Sequence, residues 1–344
     1  MRRIRVLIAD DSVLTRDVIS AMLSLDSEID IVGQARNGKE AVEMALNLKP
    51  DVMTMDIEMP LMDGFEAIGK IMEAGPVPIL VVSSRSDAGT AYTAISRGAL
   101  EVFSKSEIDP ESPEDFIRKV KSISRIKVIS HLRSHHARQA MPESLKITGK
   151  LYPAYRMIAI AASTGGPKAL SLLLPDFPGD FPCPIVIAQH ISDGFVGGMV
   201  DWLGKLCRMK VKLAEEGERA QAGTIYVAAS ETHTRIGGDQ RIVLVKRKPD
   251  DIFHPSCNLL LSSVAKTYGS KSMGIILTGM GNDGTEGMRS IREAGGMTIA
   301  QDEKSSAVFG MPKVAIELGY IQKILPIGKI GSEILELVKG NGRS

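Results

Sequence analysis

Short apolar runs of β type alternate with helical patterns along almost the whole chain, in two separate series. In the first half, residues 5–9, 29–35, 52–55, 79–83 and 101–104 read as strands, with helical patterns between them, for instance at 14–23 and 38–48. In the second half, residues 157–162, 185–189, 224–228, 242–245, 274–277 and 297–300 read as strands. Such alternation predicts parallel sheets covered by helices on both faces. In sheets of that kind ligands gather at the carboxyl ends of the strands. With 344 residues, and roughly 150 per domain, the chain is expected to be α/β with two doubly wound, mostly parallel-sheet domains. No internal repeat is evident.

Charge marks the joint between them. Residues 1–125 hold 15 basic and 21 acidic side chains, whereas residues 126–152 hold 5 basic side chains against Glu143 alone. The segment from 125 to 152 has weak apolar periodicity, includes Pro142 and Gly149, and reads as a tether with some helix near 126–132. Its charge is available to pair with the acidic first half, or simply to be solvated. The formal net charge of the whole chain is +1, which offers no footprint for nucleic acid or an anionic membrane. Cys183, Cys207 and Cys257 form no CxxC pair, so neither a disulfide framework nor a zinc site is expected, and they read as small buried hydrophobes. No apolar run reaches the roughly 18 residues that a membrane span requires. The N-terminal residues enter a strand and reach Asp10 too soon for a secretory leader. A soluble cytoplasmic protein is the expectation.

Asp10 and Asp11 follow the first strand and Asp56 follows the third, so three carboxylates converge at strand ends. They repel one another unless a hard cation joins them, and Mg²⁺ suits an oxygen-only set. Ser83 and Lys105, at the ends of strands four and five, add a hydroxyl and an ammonium for a phosphoryl oxygen. An aspartate in that setting is a nucleophile toward a phosphoryl donor. Each acid taken singly also fits a helix cap or a loop position; the ordered set does not. Residues 3–122, including the stretch Asp56-Ile57-Glu58-Met59-Pro60 and Asp63-Gly64, resemble a response-regulator receiver domain, a flavodoxin-like fold. The resemblance implies that Asp56 accepts phosphate, and that Asp10, Asp11, Asp56 and the Glu58 carbonyl hold Mg²⁺. It further makes Ser83 the switch hydroxyl and Lys105 the phosphoryl contact. Ser106 stands where that family usually has proline.

In the second half, Ala161-Ala162-Ser163-Thr164-Gly165-Gly166-Pro167 closes an apolar strand and opens a helix. Ser163 is thereby placed exposed on a sharp turn near a helix N-terminus, as in a nucleophile elbow with Ala161 replacing the first glycine. An N-cap or an anion-binding loop reads equally well from that turn alone. His190 and Asp283 also follow strands, the latter in the glycine-rich Thr278-Gly279-Met280-Gly281-Asn282-Asp283-Gly284. A buried structural histidine and a tight turn are the bland alternatives. Taken together, they suit a serine nucleophile, its base and the orienting acid, with glycine-turn N–H groups for an oxyanion. The order Ser, His, Asp differs from that of the α/β-hydrolases.

These motifs, with Gln189-His190, Glu216-Gly217-Glu218-Arg219 and Phe309-Gly310-Met311-Pro312, resemble the catalytic domain of the CheB family of chemotaxis protein-glutamate methylesterases, over about residues 153–342. Residues 123–152 are then the linker. The resemblance implies a Ser163/His190/Asp283 triad with Met280 and Thr164 serving the oxyanion. It implies hydrolysis of glutamate methyl esters on methyl-accepting chemoreceptors with release of methanol, glutamine deamidation in some members, and no cofactor for hydrolysis. The histidine kinase CheA is the implied phosphodonor; neither nucleic acid nor membrane insertion is implied. The segment Phe253-His254-Pro255-Ser256-Cys257-Asn258 departs from the family, which has Arg before the proline and Val-Asp after the serine. A DNA-binding output domain, a noncatalytic phospho-dependent adaptor and a general carboxylesterase are the rival readings. His131, His135 and His136 lack an acid or cysteine to complete a metal site, Lys246-Arg247-Lys248 reads as a solvated strand end, and Trp202 reads as core.

Overall fold

The computed structural model describes residues 2–84, 88–126, 155–248 and 251–339. The histidines at 131, 135 and 136, and most of the segment read as a linker, lie outside the described residues. The first unit runs β1 (Ile4–Ala9), α1 (Val13–Ser24), β2 (Ile29–Ala35), α2 (Gly38–Leu48), β3 (Val52–Met55), α3 (Gly64–Ala74), β4 (Ile79–Ser83), α4 (Ala88–Ser96), β5 (Glu101–Ser104) and α5 (Glu114–Ser124). Its sheet is parallel with strand order β2-β1-β3-β4-β5. The order reverses between β1 and β3, which opens a crevice at their carboxyl ends. Helix starts follow local chemistry: Ser12, Asn37 and Asp63 cap α1, α2 and α3 by accepting from the backbone N–H three residues on. Helix α5 continues to Ser124, two residues into the segment assigned to the linker.

The second unit runs β6 (Met157–Ala162), α6 (Gly166–Leu173), β7 (Ile185–Gln189), α7 (Val196–Leu206), β8 (Lys210–Leu213), β9 (Thr224–Val227), β10 (Thr232–Ile236), β11 (Ile242–Lys246), α8 (Cys257–Tyr268), β12 (Ser272–Ile276), α9 (Thr285–Glu293), β13 (Met297–Gln301), α10 (Met311–Glu317), β14 (Lys323–Leu325) and α11 (Ile327–Lys339). Seven strands form a parallel sheet ordered β14-β13-β12-β6-β7-β9-β8. Strands β6, β7 and β12 are buried at every position, the continuous apolar signature of strands covered on both faces. The sequence reading needs correction at β11. It pairs antiparallel with β10 in a separate ribbon outside the parallel sheet. Strands β8, β10 and β14 escaped the reading because they are short, and β8 and β10 mix polar and apolar residues.

The two units share a packed interface. Tyr92 on α4 stacks on Trp202 of α7, with ring centroids 5.7 Å apart and planes 24° from parallel. Trp202 is therefore core, as expected, but of the seam between units. A stacked pair of this kind is worth about 1 kcal/mol beyond the apolar area it covers. Trp202 is the only tryptophan and is 9% exposed. Replacing Tyr92 with Ala is expected to red-shift its fluorescence emission. An unmoved spectrum would mean that α7 and its own unit shield the ring without the first unit.

Candidate active site

Three adjacent strands, β12, β6 and β7, deliver the three residues singled out in the second half. Ser163 follows β6, His190 follows β7, and Asp283 lies on the loop after β12. His190 Nδ1 is 3.2 Å from Ser163 Oγ, and its Nε2 is 2.9 Å from Asp283 Oδ2. An ionised carboxylate can only accept, so Asp283 holds the ring proton on Nε2 and leaves the Nδ1 lone pair toward the serine.

Burial would raise the Asp283 pKa, but the hydrogen bond and charge of His190 and the N–H groups of Asn258 and Cys257 hold it below the usual carboxylate value. Asp283 Oδ2 accepts from Cys257 N at 2.7 Å, and Oδ1 accepts from Asn258 N at 2.9 Å and Gly284 N at 3.0 Å. Cys257 and Asn258 are the first two residues of α8, so the carboxylate sits on the positive end of a helix. Asn258 Oδ1 in turn accepts from Gly284 N and Gly287 N at the start of α9. One asparagine thereby ties two helix N-termini around the acid.

The serine turn is braced from behind. Gln189 Nε2 donates to the carbonyls of Ser163 and His190, each at 2.8 Å. Gly165, at φ +77°, adopts the left-handed conformation that turns the chain from β6 into α6. At Gly279 a side chain has no room, since a Cβ there would lie 2.7 Å from the Ser163 Cβ. Thr164 and Met280 line the same cleft, and the backbone N–H of neither donates to another protein group among the described residues.

Several supporting residues escaped the sequence reading. Phe253 stacks on the His190 ring, with centroids 5.2 Å apart and planes 12° from parallel. His233 accepts from Ser256 N and faces Asp251 at 2.8 Å, which fixes the approach to α8. Their signal was only the unusual run from Phe253 to Asn258. Two expectations are corrected. Ser163 is not exposed but 5% accessible, because Gln189 and the loop after β12 pack against its turn. Cys257 is not among them: it is buried as read, its Sγ lies 3.5 Å from the His190 nitrogen whose proton Asp283 accepts, and burial pushes its thiol well above the usual value, so it remains protonated. Arg247, read as solvated, pairs with Asp193 at 2.9 Å.

The first unit brings its three strand-end acids together. Asp10, Asp11 and Asp56 place carboxylate oxygens within 4.8 Å of one another. Lys105 Nζ lies 2.6 Å from Asp56 and 2.9 Å from Asp10, and the turn after Lys105 forms without proline because Ser104 Oγ caps Ser106 N. Asp10 Oδ2 is buried without a well-directed hydrogen bond. An all-oxygen set containing such an atom suits a hard divalent cation. Burial pushes the Asp56 carboxyl up to about 6, helped by the Asp10 charge and opposed by Lys105. Burial also works against the Lys105 charge, but the two carboxylates outweigh it and raise its pKa. Ser83 is buried at the end of β4, and Glu58 is exposed on the loop after Asp56.

The chain matches the family model described as CheB methylesterase over residues 158–334, and that of the response regulator receiver domain over residues 6–119. It is 44% identical over 341 residues to "Protein-glutamate methylesterase/protein-glutamine glutaminase 3" of Paramagnetospirillum magneticum, covering 97% of this chain and 96% of the relative. The chain belongs to the CheB methylesterase family. A relative so named from Pyrococcus abyssi, without the numeral, is 36% identical and covers 99% of this chain and 96% of its own length. The crystal structure of the Thermotoga maritima CheB methylesterase catalytic domain superposes with a TM-score of 0.52 at 37% identity, covering 54% of this chain and 99% of that one. Both α/β units of this CheB-family chain are thus accounted for.

Two predictions follow from the electrostatics of the paired sites. Asp283→Asn leaves the carboxamide able to hold the wrong imidazole tautomer, and is expected to slow labelling of Ser163 by a phosphonate probe by about 10⁴-fold. Labelling at the wild-type rate would separate Asp283 from the serine. At Asp56 the folded pKa of about 6 exceeds the unfolded value near 3.8. The native state therefore binds the proton more tightly, and stability falls as pH rises from about 4 through 6. In chelator-treated protein, Asp56→Asn is expected to be more stable than wild type at pH 8 by on the order of 2 kcal/mol. Denaturant titrations at pH 8 and pH 4 check this; a gap that does not close at the lower pH counts against the strained carboxylate.

Proposed function

We propose that this chain is a phosphorylation-controlled serine hydrolase that cleaves glutamate γ-methyl esters on the cytoplasmic helices of methyl-accepting chemoreceptors. The observation that carries the reading is the Ser163–His190–Asp283 hydrogen-bonded relay lying beneath a receiver unit that bears an acidic phosphoacceptor crevice. Ser163 Oγ attacks the ester carbonyl carbon while His190 Nδ1 takes its proton, and Asp283 stabilises the resulting imidazolium. The developing oxyanion meets the N–H groups of Thr164 and Met280. Collapse of the tetrahedral adduct expels methanol, which receives the proton from His190. Water, deprotonated by the same nitrogen, then cleaves the acyl-enzyme to free carboxylate and restores Ser163. An amide leaving group follows the same course and yields ammonia, so glutamine deamidation falls within the reach of the site. No cofactor takes part in these steps.

In the receiver, Asp56 accepts phosphate from the histidine kinase CheA. Asp10, Asp11, Asp56 and the Glu58 carbonyl would hold Mg²⁺, which would supply charge neutralisation for the transfer. Lys105 pairs with the phosphoryl oxygens, and the Ser83 hydroxyl follows them. In the docked state, the receiver residues Glu107 and Ser122 line the same cleft as Ser163 and His190, so the substrate helix needs the receiver to move. The protein acts in the cytoplasm; no helix among the described residues is long and apolar enough to cross a membrane.

Methanol release from methylated receptor fragments, with and without a small phosphodonor and Mg²⁺, tests the whole reading. Release should vanish in Ser163→Ala, and the donor should stimulate it only when Asp56 is present. Removal of the receiver and linker should raise the basal rate. A folded, phosphorylated wild type that releases no methanol would end the esterase assignment. A receiver-free form no faster than the intact chain would end the covering role.

A further inference from the structure

A cleft of about 230 Å³ separates the two units at the catalytic serine. Its hydrolytic wall, which includes Ser163, His190, Ser192, Phe253, His254 and Met280, carries no carboxylate among the described residues, whereas its receiver wall presents Glu101, Glu107 and Asp115. Two of these acids are neutralised within the receiver, Glu101 by Lys119 and Asp115 by Arg118. Glu107 is different. It has no cationic partner among the described ion pairs, and its carboxylate crosses the cleft. Oε2 accepts from Ser192 Oγ at 2.7 Å and Oε1 accepts from Asp193 N at 3.0 Å. Two neutral donors on adjacent residues therefore hold a carboxylate in bidentate fashion. The arrangement is built rather than incidental. Arg247 binds both oxygens of the Asp193 side chain, which neutralises that acid while its N–H donates to Glu107.

We propose that Ser192 Oγ and Asp193 N–H form a carboxylate-binding subsite for a free glutamate of the substrate helix, and that Glu107 occupies it as an internal substitute when the receiver is docked. The inference rests on the esterase reading and specifies its substrate. Ser192 lies two residues from His190, and two residues span at most about 7 Å. Side chains one helical turn apart are separated by roughly 6 Å. A helix presenting its ester to Ser163 thus brings a glutamate one turn away to the subsite. Glu107 also sits two residues beyond Lys105, so a shift of that lysine toward a phosphoryl group pulls on the same turn and frees the subsite.

The test uses the full chain with acetyl phosphate and Mg²⁺, and two helical peptides that carry one glutamyl methyl ester and either Glu or Gln one turn away. Methanol release should favour the Glu peptide by about 10-fold in kcat/KM, expressed in KM, as expected for hydrogen bonds to a charged group. Ser192→Ala should bring that ratio close to 1, a comparison within one variant that is insensitive to partial loss of fold. Glu107→Gln should raise release from either peptide several-fold without the phosphodonor. A wild-type ratio near 1, or a ratio unaltered by Ser192→Ala, overturns the subsite. The unesterified peptides give an independent reading as protectants against phosphonate labelling of Ser163. If the Glu form protects better while no ester is cleaved, the subsite stands and the esterase reading falls. If both esters are cleaved equally, the reverse holds.

Discussion

Each half of this molecule depends on an aspartate buried at the carboxyl end of a parallel strand or on the loop beyond it, where a charge is costly unless something answers it. Asp283 is answered fully, by His190 and by three backbone N–H groups drawn from the starts of two helices. It remains ionised, which is what an orienting acid requires. Asp56 is answered only partly, by Lys105 and the Ile57 N–H, while Asp10 pushes against it. Its raised pKa records a site left short of positive charge. The fold solves one electrostatic problem and leaves the other open, and the open one is where a cation and a phosphoryl group have a reason to bind.

The seam between the units joins these two centres. Lys105 reaches the receiver carboxylates, Glu107 in the same short turn reaches the loop that follows His190, and Tyr92 stacks on Trp202 across the same seam. Charge placed at Asp56 therefore acts on a turn whose far side is bonded to the catalytic cleft. A hydrogen-bonded carboxylate and one aromatic stack are modest in energy, which suits a contact that must release as well as hold.

Much of the architecture was legible because parallel sheets buried on both faces require unbroken apolar runs, and such runs stand out in the chain. Ser163, His190, Asp283, Asp10, Asp11, Asp56, Ser83 and Lys105 could be picked out for the same reason, as polar residues stationed just after those runs. Short strands of mixed composition, such as Lys210–Leu213 and Lys323–Leu325, gave no comparable signal. The accessibility of Ser163 was misjudged because nothing local to its turn records that Gln189 and the loop after β12 pack against it.

The sequence alone determined the identity and order of the strand-end residues, because side-chain type and hydrophobic periodicity are properties of neighbours along the chain. Tertiary structure decided how those residues are supported. Asn258 binds the loop of Asp283, Phe253 lies flat on His190, and Cys257 rests 3.5 Å from the imidazole. It also decided that Glu107, an ordinary acid on a surface turn by sequence, spends its carboxylate on Ser192 and Asp193. These contacts join residues 26 to 86 positions apart, as between Asn258 and Gly284 or Glu107 and Asp193. Their geometry exists only once two sheets have twisted, stacked their helices and closed on each other.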